Sequence, residues 1–529
     1  MIEKELFPRH GGSSHYANIP SGYYLLLSCF IFIALISFTR KFLPQGANQG
    51  FIKWIYGFNP IFLFLYFTLT IIALVFPLFI TQHDHYYNVF TKRLGRIAYG
   101  FTNLIILIML QEPLSIFNGM ISYLEFIPLH KWLSRGIFGI SILHGILFIL
   151  KWYRDPEVSL WEKMVVKKAN FIGFVIFIEF CFMSIISMKP LRHKSYKFFY
   201  FSHQLINLSF IILIPFHARP RVTFPFLIIN IFLMVIYCLN KTWKGHRISI
   251  SDKIETFENQ FYIVTLPSTE LYMELPTPGS HLRISPFARY NWKYWLLPSH
   301  PYTIATSSPH EVKLIIKKTN FIIDENHQYT ICGPLPNHSI ERLIQCEEIL
   351  NHIILIAGGS GISFILPIYY YLLNNKDSTM SFQSLRFIWL VKDIVEYKFI
   401  RNNVGLSEEY FKDMDIYITA TDVTTTETDM MNDNSNEDDI ELQNFIPIRK
   451  ENNMDDKNTI GEEKIKYGRI NWDLDLQDLC LEDGAYNNNN QGNNKNNYII
   501  GCGPNNLIKD CENFGSKNNY HVITEYYSI

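Results

Sequence analysis

Phe126-Ile-Pro-Leu-His130-Lys-Trp-Leu-Ser-Arg-Gly-Ile-Phe-Gly-Ile-Ser-Ile-Leu-His144-Gly145 and Tyr200-Phe-Ser-His203-Gln-Leu-Ile-Asn-Leu-Ser-Phe-Ile-Ile-Leu-Ile-Pro-Phe-His217 share one pattern: two histidines in an apolar run, thirteen residues between them. On an α-helix that interval is roughly 3.9 turns and about 21 Å of rise. Each pair therefore sits near one face, at two depths of a hydrocarbon layer about 30 Å thick. A polar, metal-binding side chain at such depths is costly and marks function by default. A single histidine in an apolar helix is commonly a hydrogen-bonded core residue. The same spacing in two separate helices argues for a shared purpose. Side by side, the helices offer two His–His pairs, each able to hold one haem iron axially.

Outward from these stretches the chain divides unevenly. Its 529 residues are 48% hydrophobic, but nearly all long apolar runs precede residue 241. Seven spans are expected, at about 22–39, 60–80, 95–111, 128–150, 170–188, 200–217 and 224–240. Met1–Ser21 is polar and lacks a cleaved-signal pattern, so the first run is expected to stay as an anchor. Lys189, Arg192, Lys194 and Lys197, with Lys241, Lys244 and Arg247 after the last span, mark the cytosolic side. Lys92, Arg93 and Arg96 then fall outside, against the rule. In this topology His130 levels with His203 near the cytosol, and His144 with His217 near the far face. His83, His85 and His193 read as loop residues. The net charge of −1 gives no reason to expect nucleic acid. The eight cysteines form no CxxC pair, so neither a zinc site nor a disulfide framework is indicated.

After Trp243 the pattern changes to short strands at Arg247–Ser251, Gln260–Leu266, His281–Ser285, Lys313–Lys317 and Tyr329–Ile331, the cadence of a small antiparallel barrel. A buried-strand run at 351–357 leads into Gly358-Gly-Ser-Gly361 and an apolar helix to about Leu373. Strand, glycine turn and helix open a nucleotide-binding βαβ unit, because glycines let phosphates approach the backbone and the helix N-terminus favours their charge. Later strands are expected at Leu385–Val391, Ile416–Ala420, Tyr498–Gly501 and His521–Thr524. Residues of about 421–497 are rich in Thr, Asp, Glu and Asn, cannot bury a core and read as a disordered insert, interrupted by an ordered island at Tyr467–Trp472.

With these motifs in place, the chain resembles the ferric reductase and NADPH oxidase superfamily, nearest the fungal metalloreductase branch, from about residue 90 to the C-terminus outside the insert. His130, His144, His203 and His217 match the bis-haem helices. His300-Pro301-Tyr302-Thr303 resembles the flavin motif His-Pro-Phe-Thr, and Pro278-Gly-Ser-His281 the segment before it. Gly358, Gly359, Ser360 and Gly361 match the nicotinamide-dinucleotide turn, Trp389–Asp393 the segment that ends in Arg-Asp in relatives, Gly468, Arg469 and Trp472 the Gly-Arg-x-x-Trp element, and Cys502-Gly503-Pro504 the turn beside the nicotinamide. Three positions depart. Tyr302 replaces Phe. Lys392 replaces Arg, so a forked contact becomes a point charge. Pro336 ends Gly333–Pro336, where relatives carry glycine.

The resemblance implies a multi-pass membrane domain holding a bis-haem bundle, followed by a ferredoxin-reductase-like module: an antiparallel β-barrel for FAD and an α/β domain for NADPH. The expected boundaries are a polar N-terminus at 1–21, two spans within 22–94, the bis-haem domain at 95–243, the FAD barrel at 244–348 and the NADPH domain at 349–529. Lys392 and Arg469 are expected to meet a 2′-phosphate, and Tyr526 to cover the flavin. The expected activity is transmembrane electron transfer from cytosolic NADPH through FAD and two haems b to Fe(III) or Cu(II) chelates, at the plasma membrane or endoplasmic reticulum, with no protein acid–base catalyst at the outer end. Reduction of O2 to superoxide is the alternative acceptor reading, and a redox-inactive scaffold the third. Arg219 and Arg221, beyond His217, suit a metal chelate and superoxide equally.

Overall fold

The computed structural model describes residues 19–42, 68, 70, 83–109, 127–154, 157, 159–218, 220–256, 261–271, 275–318, 321–345, 350–375, 382–419, 464–476 and 497–526. The expected second span apart from Thr68 and Thr70, nearly all of the insert apart from 464–476, Arg219, and the side chains of Arg221 and Tyr526 lie outside this description.

The membrane half is built from α1 (Ile19–Phe42), α2 (His83–Ile108), α3 (Ile127–Tyr153), α4 (Lys168–Ile186), α5 (Lys189–Lys194), α6 (Tyr196–His217) and α7 (Pro220–Trp243). Among the described residues, α3, α4, α6 and the Thr223–Trp243 part of α7 are long and apolar enough to cross a membrane. Helix α2 begins well before the expected third span, so His83 and His85, expected in a loop, are instead helical. The reason is packing. Val89, Leu94, Ile97, Phe101, Leu104 and Ile108 recur at helical spacing and are buried against α1, α3 and α7. Its diluting polar residue has a partner: Asn103 Nδ2 donates to Asn230 Oδ1 at 2.5 Å and to the Phe226 carbonyl at 3.1 Å on α7, the kind of polar link that joins helices in lipid. His193 is also helical, in α5, where Pro190 sits in the first turn.

The next layer is a seven-stranded antiparallel sheet, ordered β1-β7-β4-β5-β6-β3-β2. Its strands are β1 (Gly245–Ser249), β2 (Asp252–Glu255), β3 (Phe261–Pro267), β4 (His281–Ser285), β5 (His300–Ser307), β6 (Glu311–Lys317) and β7 (Gln328–Leu335). The edge strands β1 and β2 are joined by only Ile250 and Ser251, so the sheet curls until its edges meet at that corner. It is a half-barrel, its two edge strands not hydrogen-bonded to each other, where a small antiparallel barrel was expected. Ile248, Val264, Leu282, Ile304, Leu314 and Ile331 fill its inside. The short helix α8 (Trp292–Leu296) seats it on the membrane bundle. Tyr294 Oη donates to the Lys241 carbonyl at 3.0 Å, Lys241 Nζ donates to the Tyr294 carbonyl at 2.9 Å, and Arg289 donates to the Thr242 carbonyl at 2.8 Å.

After α9 (His338–Ile344) comes a six-stranded, all-parallel sheet, ordered β11-β10-β9-β8-β12-β13. Its strands are β8 (Leu350–Gly358), β9 (Phe382–Val391), β10 (Met414–Ile418), β11 (Lys464–Tyr467), β12 (Tyr498–Gly503) and β13 (His521–Tyr526). Helices α10 (Ile362–Asn374), α11 (Ile394–Asn403), α12 (Glu409–Lys412), α13 (Trp472–Asp475) and α14 (Asn505–Asn518) accompany them. Ile353 to Ala357 are wholly buried, as a parallel strand covered on both faces requires. The ordered island extends further back than Tyr467, because Lys464–Tyr467 forms the edge strand beside β10.

Candidate functional site

In the parallel sheet the strand order reverses between β8 and β12, and ligands of such sheets bind in the crevice at that reversal. Gly358–Gly361 and Cys502–Pro504 meet there. A Cβ on Gly361 would fall 2.2 Å from the Cys502 carbonyl oxygen, and one on Gly358 2.8 Å from Pro504 Cδ. Gly359 has φ +52, a conformation that favours glycine. Ser363 Oγ and Trp389 Nε1 donate to the carbonyls of Ser360 and Gly359 at 3.0 and 3.2 Å, fixing the turn's outer side. Lys392 follows β9 and Arg469 follows β11, both exposed at the same carboxyl edge. Tyr526 ends β13, in register with Gly503.

Glu396 carries no signal in the sequence. It looks like an ordinary acid in the first turn of a helix, yet it is buried. One carboxylate oxygen accepts from the Lys392 N–H at 3.2 Å, while the other has no hydrogen-bond partner and lies 3.7 Å from where a Cβ of Gly359 would be. Burial first, then Asp393, pushes this carboxyl from 4.5 up to about 7, against the opposing Lys392 N–H, Lys317 and Lys392. Burial also pushes Glu525 up to about 7, against a hydrogen bond from Asn337. Both folded values are raised. Their stabilising contribution is therefore complete below the unfolded value near 4.5 and is lost as pH rises through about 7. Glu396→Gln is expected to raise stability above neutral pH by at most about 3 kcal/mol and to change little below the unfolded carboxylate pKa. Unfolding midpoints across pH check this, and an unchanged pH slope would refute it.

His300-Pro301-Tyr302-Thr303 opens β5, in register with Ile284-to-His281 of β4. The His300 ring lies flat on Phe321, with centroids 3.9 Å apart and 5° between planes, a partner absent from the sequence motif. Burial, then Lys197 and Arg283, hold the His300 imidazole down at about 4, so it is neutral at cellular pH. Tyr302 packs against the half-barrel core, as expected of a Phe replacement, and burial pushes its phenol above the usual range. Helix α10, which begins after the glycine turn, packs on β5. A Cβ on Gly279 would come 2.9 Å from Phe364 of that helix. The flavin-type strand and the nucleotide turn thus adjoin through one helix.

In the membrane bundle the four histidines face each other in two pairs. His130 and His203 have ring centroids 6.0 Å apart with 20° between planes; for His144 and His217 the values are 6.2 Å and 88°. A metal–imidazole bond is about 2.0 Å and a ring centre lies about 1.1 Å from its nitrogen, so two imidazoles on opposite sides of one metal have centres roughly 6 Å apart. Among the described residues no three His, Cys, Asp or Glu side chains gather to hold an ion. Each pair therefore has room for one metal between its two imidazoles, and a haem iron held there would supply one-electron chemistry. In the second pair, His144 Nδ1 donates to the Thr91 carbonyl at 2.7 Å and His217 Nδ1 to the Ala169 carbonyl at 2.8 Å. Each bond fixes the tautomer that leaves the Nε2 lone pair free for a metal. Four residues after each carbonyl stands a glycine: a Cβ on Gly95 would lie 2.7 Å, and one on Gly173 2.3 Å, from the Cε1 of its histidine. In the first pair, His203 Nδ1 contacts the Asn207 amide at 2.6 Å, and His130 Nδ1 is buried without a partner.

A nucleotide-type switch point joined to a membrane bundle with facing imidazole pairs defines a membrane oxidoreductase fed by a nicotinamide nucleotide. Residues 94–214 match the family described as ferric reductase like transmembrane component, and residues 350–516 the ferric reductase NAD binding domain. The chain is 31% identical over 577 residues to "Probable metalloreductase AIM14" of Saccharomyces cerevisiae, with 99% of each chain covered. Proteins of the same name from Zygosaccharomyces rouxii and Kluyveromyces lactis are 30% and 31% identical, covering 100% of both chains and 98% and 99% respectively. The chain belongs to this ferric-reductase-like metalloreductase family and is an NAD(P)H-dependent oxidoreductase.

Proposed function

We propose that the chain takes electrons from NADPH on the half-barrel side, through FAD, to two haems b, held by His130 with His203 and by His144 with His217, and delivers them to Fe(III) or Cu(II) chelates across the membrane. The observation that carries this is the twice-repeated facing of imidazoles, at 6.0 and 6.2 Å, along one pair of helices. A nicotinamide gives up two electrons together and haem iron takes one, so a flavin, which does both, belongs between them.

The chain's own contribution is positioning. Thr91 and Ala169 hold the second histidine pair in its ligating tautomer. Gly358, Gly359 and Gly361 clear a path for a diphosphate at the N-terminus of α10. Lys392 and Arg469 follow strands separated by one other, β10, hence roughly 10 Å apart, close enough for two long side chains to share a 2′-phosphate. Pro301 to Thr303 and Tyr526 would flank the flavin. Lys189, Arg192, Lys194 and Lys197 gather at the half-barrel end of the bundle, which supports a cytosolic half-barrel in a plasma or endoplasmic reticulum membrane.

The test compares ferric-chelate reduction at the cell surface with superoxide-dismutase-sensitive dye reduction. A deletion strain is expected to lose the first and keep the second unchanged. Loss of only the second would make O2 the acceptor. A reduced-minus-oxidised spectrum of purified protein without a haem b Soret band would end the electron-transfer reading altogether.

A further inference from the structure

The half-barrel carries a ledge, Phe287–Leu296, on the end that meets the membrane helices. Tyr290 on it is 95% exposed and Trp292 56%, and the neighbouring Trp243, at the end of α7, is 84% exposed. Large aromatics so open to water are unusual outside an interface. Their level is fixed by contacts. The Trp292 ring meets Phe201, in the second turn of α6, at 6.3 Å, and Arg289 donates to the carbonyl of Thr242 at the end of α7. The ledge thus stands beside the ends of two membrane-crossing helices. Cations alternate with its rings: Arg289 and Lys293 are exposed, and Lys293 Nζ lies 5.6 and 5.9 Å from the Phe287 and Trp292 centroids. Lys189, Arg192, Lys194 and Lys197, with exposed Tyr196 and Phe198, continue the same belt at the ends of α5 and α6.

We propose that Phe287–Leu296 is a docking surface for the anionic phospholipid headgroups beside the bundle, seating the half-barrel on the bilayer as well as on the helices. Aromatic rings with a polar edge prefer the headgroup layer, and each nearby cation adds roughly five-fold to attraction by an anionic surface. The occupant is lipid rather than a protein, because the ledge continues the belt of helices already in lipid and its charge is uniformly positive. The seating brings the His300 strand, which already feels Lys197 of α6, against the end of the bundle that holds His130 and His203. This rests only on the chain being a membrane protein, not on its acceptor or haem content.

The experiment measures amide hydrogen exchange of residues 286–297 in the full chain, in phosphatidylcholine nanodiscs with and without phosphatidylserine, and in detergent. Exchange is expected to slow several-fold with phosphatidylserine. Tyr290→Ser/Lys293→Gln is expected to lose most of that slowing, with exchange in β8 unchanged as the control for folding. Equal exchange in both nanodiscs overturns the proposal, and so does slowing in detergent that grows with protein concentration, which would mean a second copy. Quenching by brominated headgroup-proximal lipids gives a second check: the loss of tryptophan emission is expected to be smaller in Trp292→Phe than in the wild type, and equal loss in both counts against docking.

Discussion

Gly361→Ala is expected to slow flavin reduction by NADPH on the order of 10²-fold while leaving the haem spectrum of dithionite-reduced protein unchanged. The added Cβ would lie 2.2 Å from the Cys502 carbonyl oxygen and 2.8 Å from its carbon. Both are backbone atoms of β12, held between β8 and β13 in the sheet interior, so no side-chain rotation relieves the clash. The turn or the strand has to move by roughly 1 Å, a strain of about 1–3 kcal/mol. That leaves a folded domain with a displaced cradle, and a 1 Å misplacement costs on the order of 10²-fold in rate. The membrane histidines are untouched by this change. Stopped-flow bleaching of the flavin reads the first effect, and a dithionite spectrum the second. Wild-type bleaching in the variant would remove the glycine turn from the nucleotide site.

How much of this was legible in the sequence follows from the range of each interaction. The histidine quartet could be paired because its information is periodic: equal spacing in two helices puts equal depths side by side, whichever neighbours surround them. The glycine turn was legible because strand, turn and helix are contiguous, and β8 and α10 lie within about a residue of the expected limits. The supports of the second histidine pair were not. Thr91 and Ala169 act through backbone carbonyls, which have no residue signature, and reach histidines 53 and 48 positions away. Gly95 and Gly173 read as ordinary glycines until an imidazole is placed against them. Helix α2 was shortened because Arg93 and Asn103 dilute its hydropathy, yet both are buried. Edge strand β11 was hidden because it is four residues long and surrounded by polar sequence. Glu396 was missed because the Gly359 turn that its carboxylate approaches lies far from it in sequence. Asn207 alone had a local signal, four residues after His203 on the same helix face.

On the proposed electron path, His144→Ala is expected to lower haem content from two to one per chain, bring reduction of an external ferric chelate to background, and leave flavin reduction by NADPH at the wild-type rate. The first effect follows because His217 alone cannot supply both axial positions. Its bond to the Ala169 carbonyl holds it in place but offers no second ligand. No other described His, Cys, Asp or Glu cluster stands ready to substitute. The vacated imidazole volume lies against Gly95, which has no side chain to fill it, so the loss is of a ligand with no steric repair. The second effect follows from distance. His130 and His144 are separated by about 21 Å of helix rise, and the rate of electron tunnelling falls exponentially with the gap. The third follows because the flavin-type strand adjoins the opposite end of the bundle: His300 feels Lys197, at the start of α6, whereas His217 ends that helix. Haem content by pyridine haemochrome, chelate reduction in vesicles and stopped-flow flavin bleaching read the three separately. Gly173→Ala supplies the graded case, since its Cβ would press on the His217 ring without removing a ligand; it is expected to weaken haem retention at that pair alone. Equal loss of flavin reduction and haem in His144→Ala would contradict a two-stage path in which the histidine pairs act after the flavin.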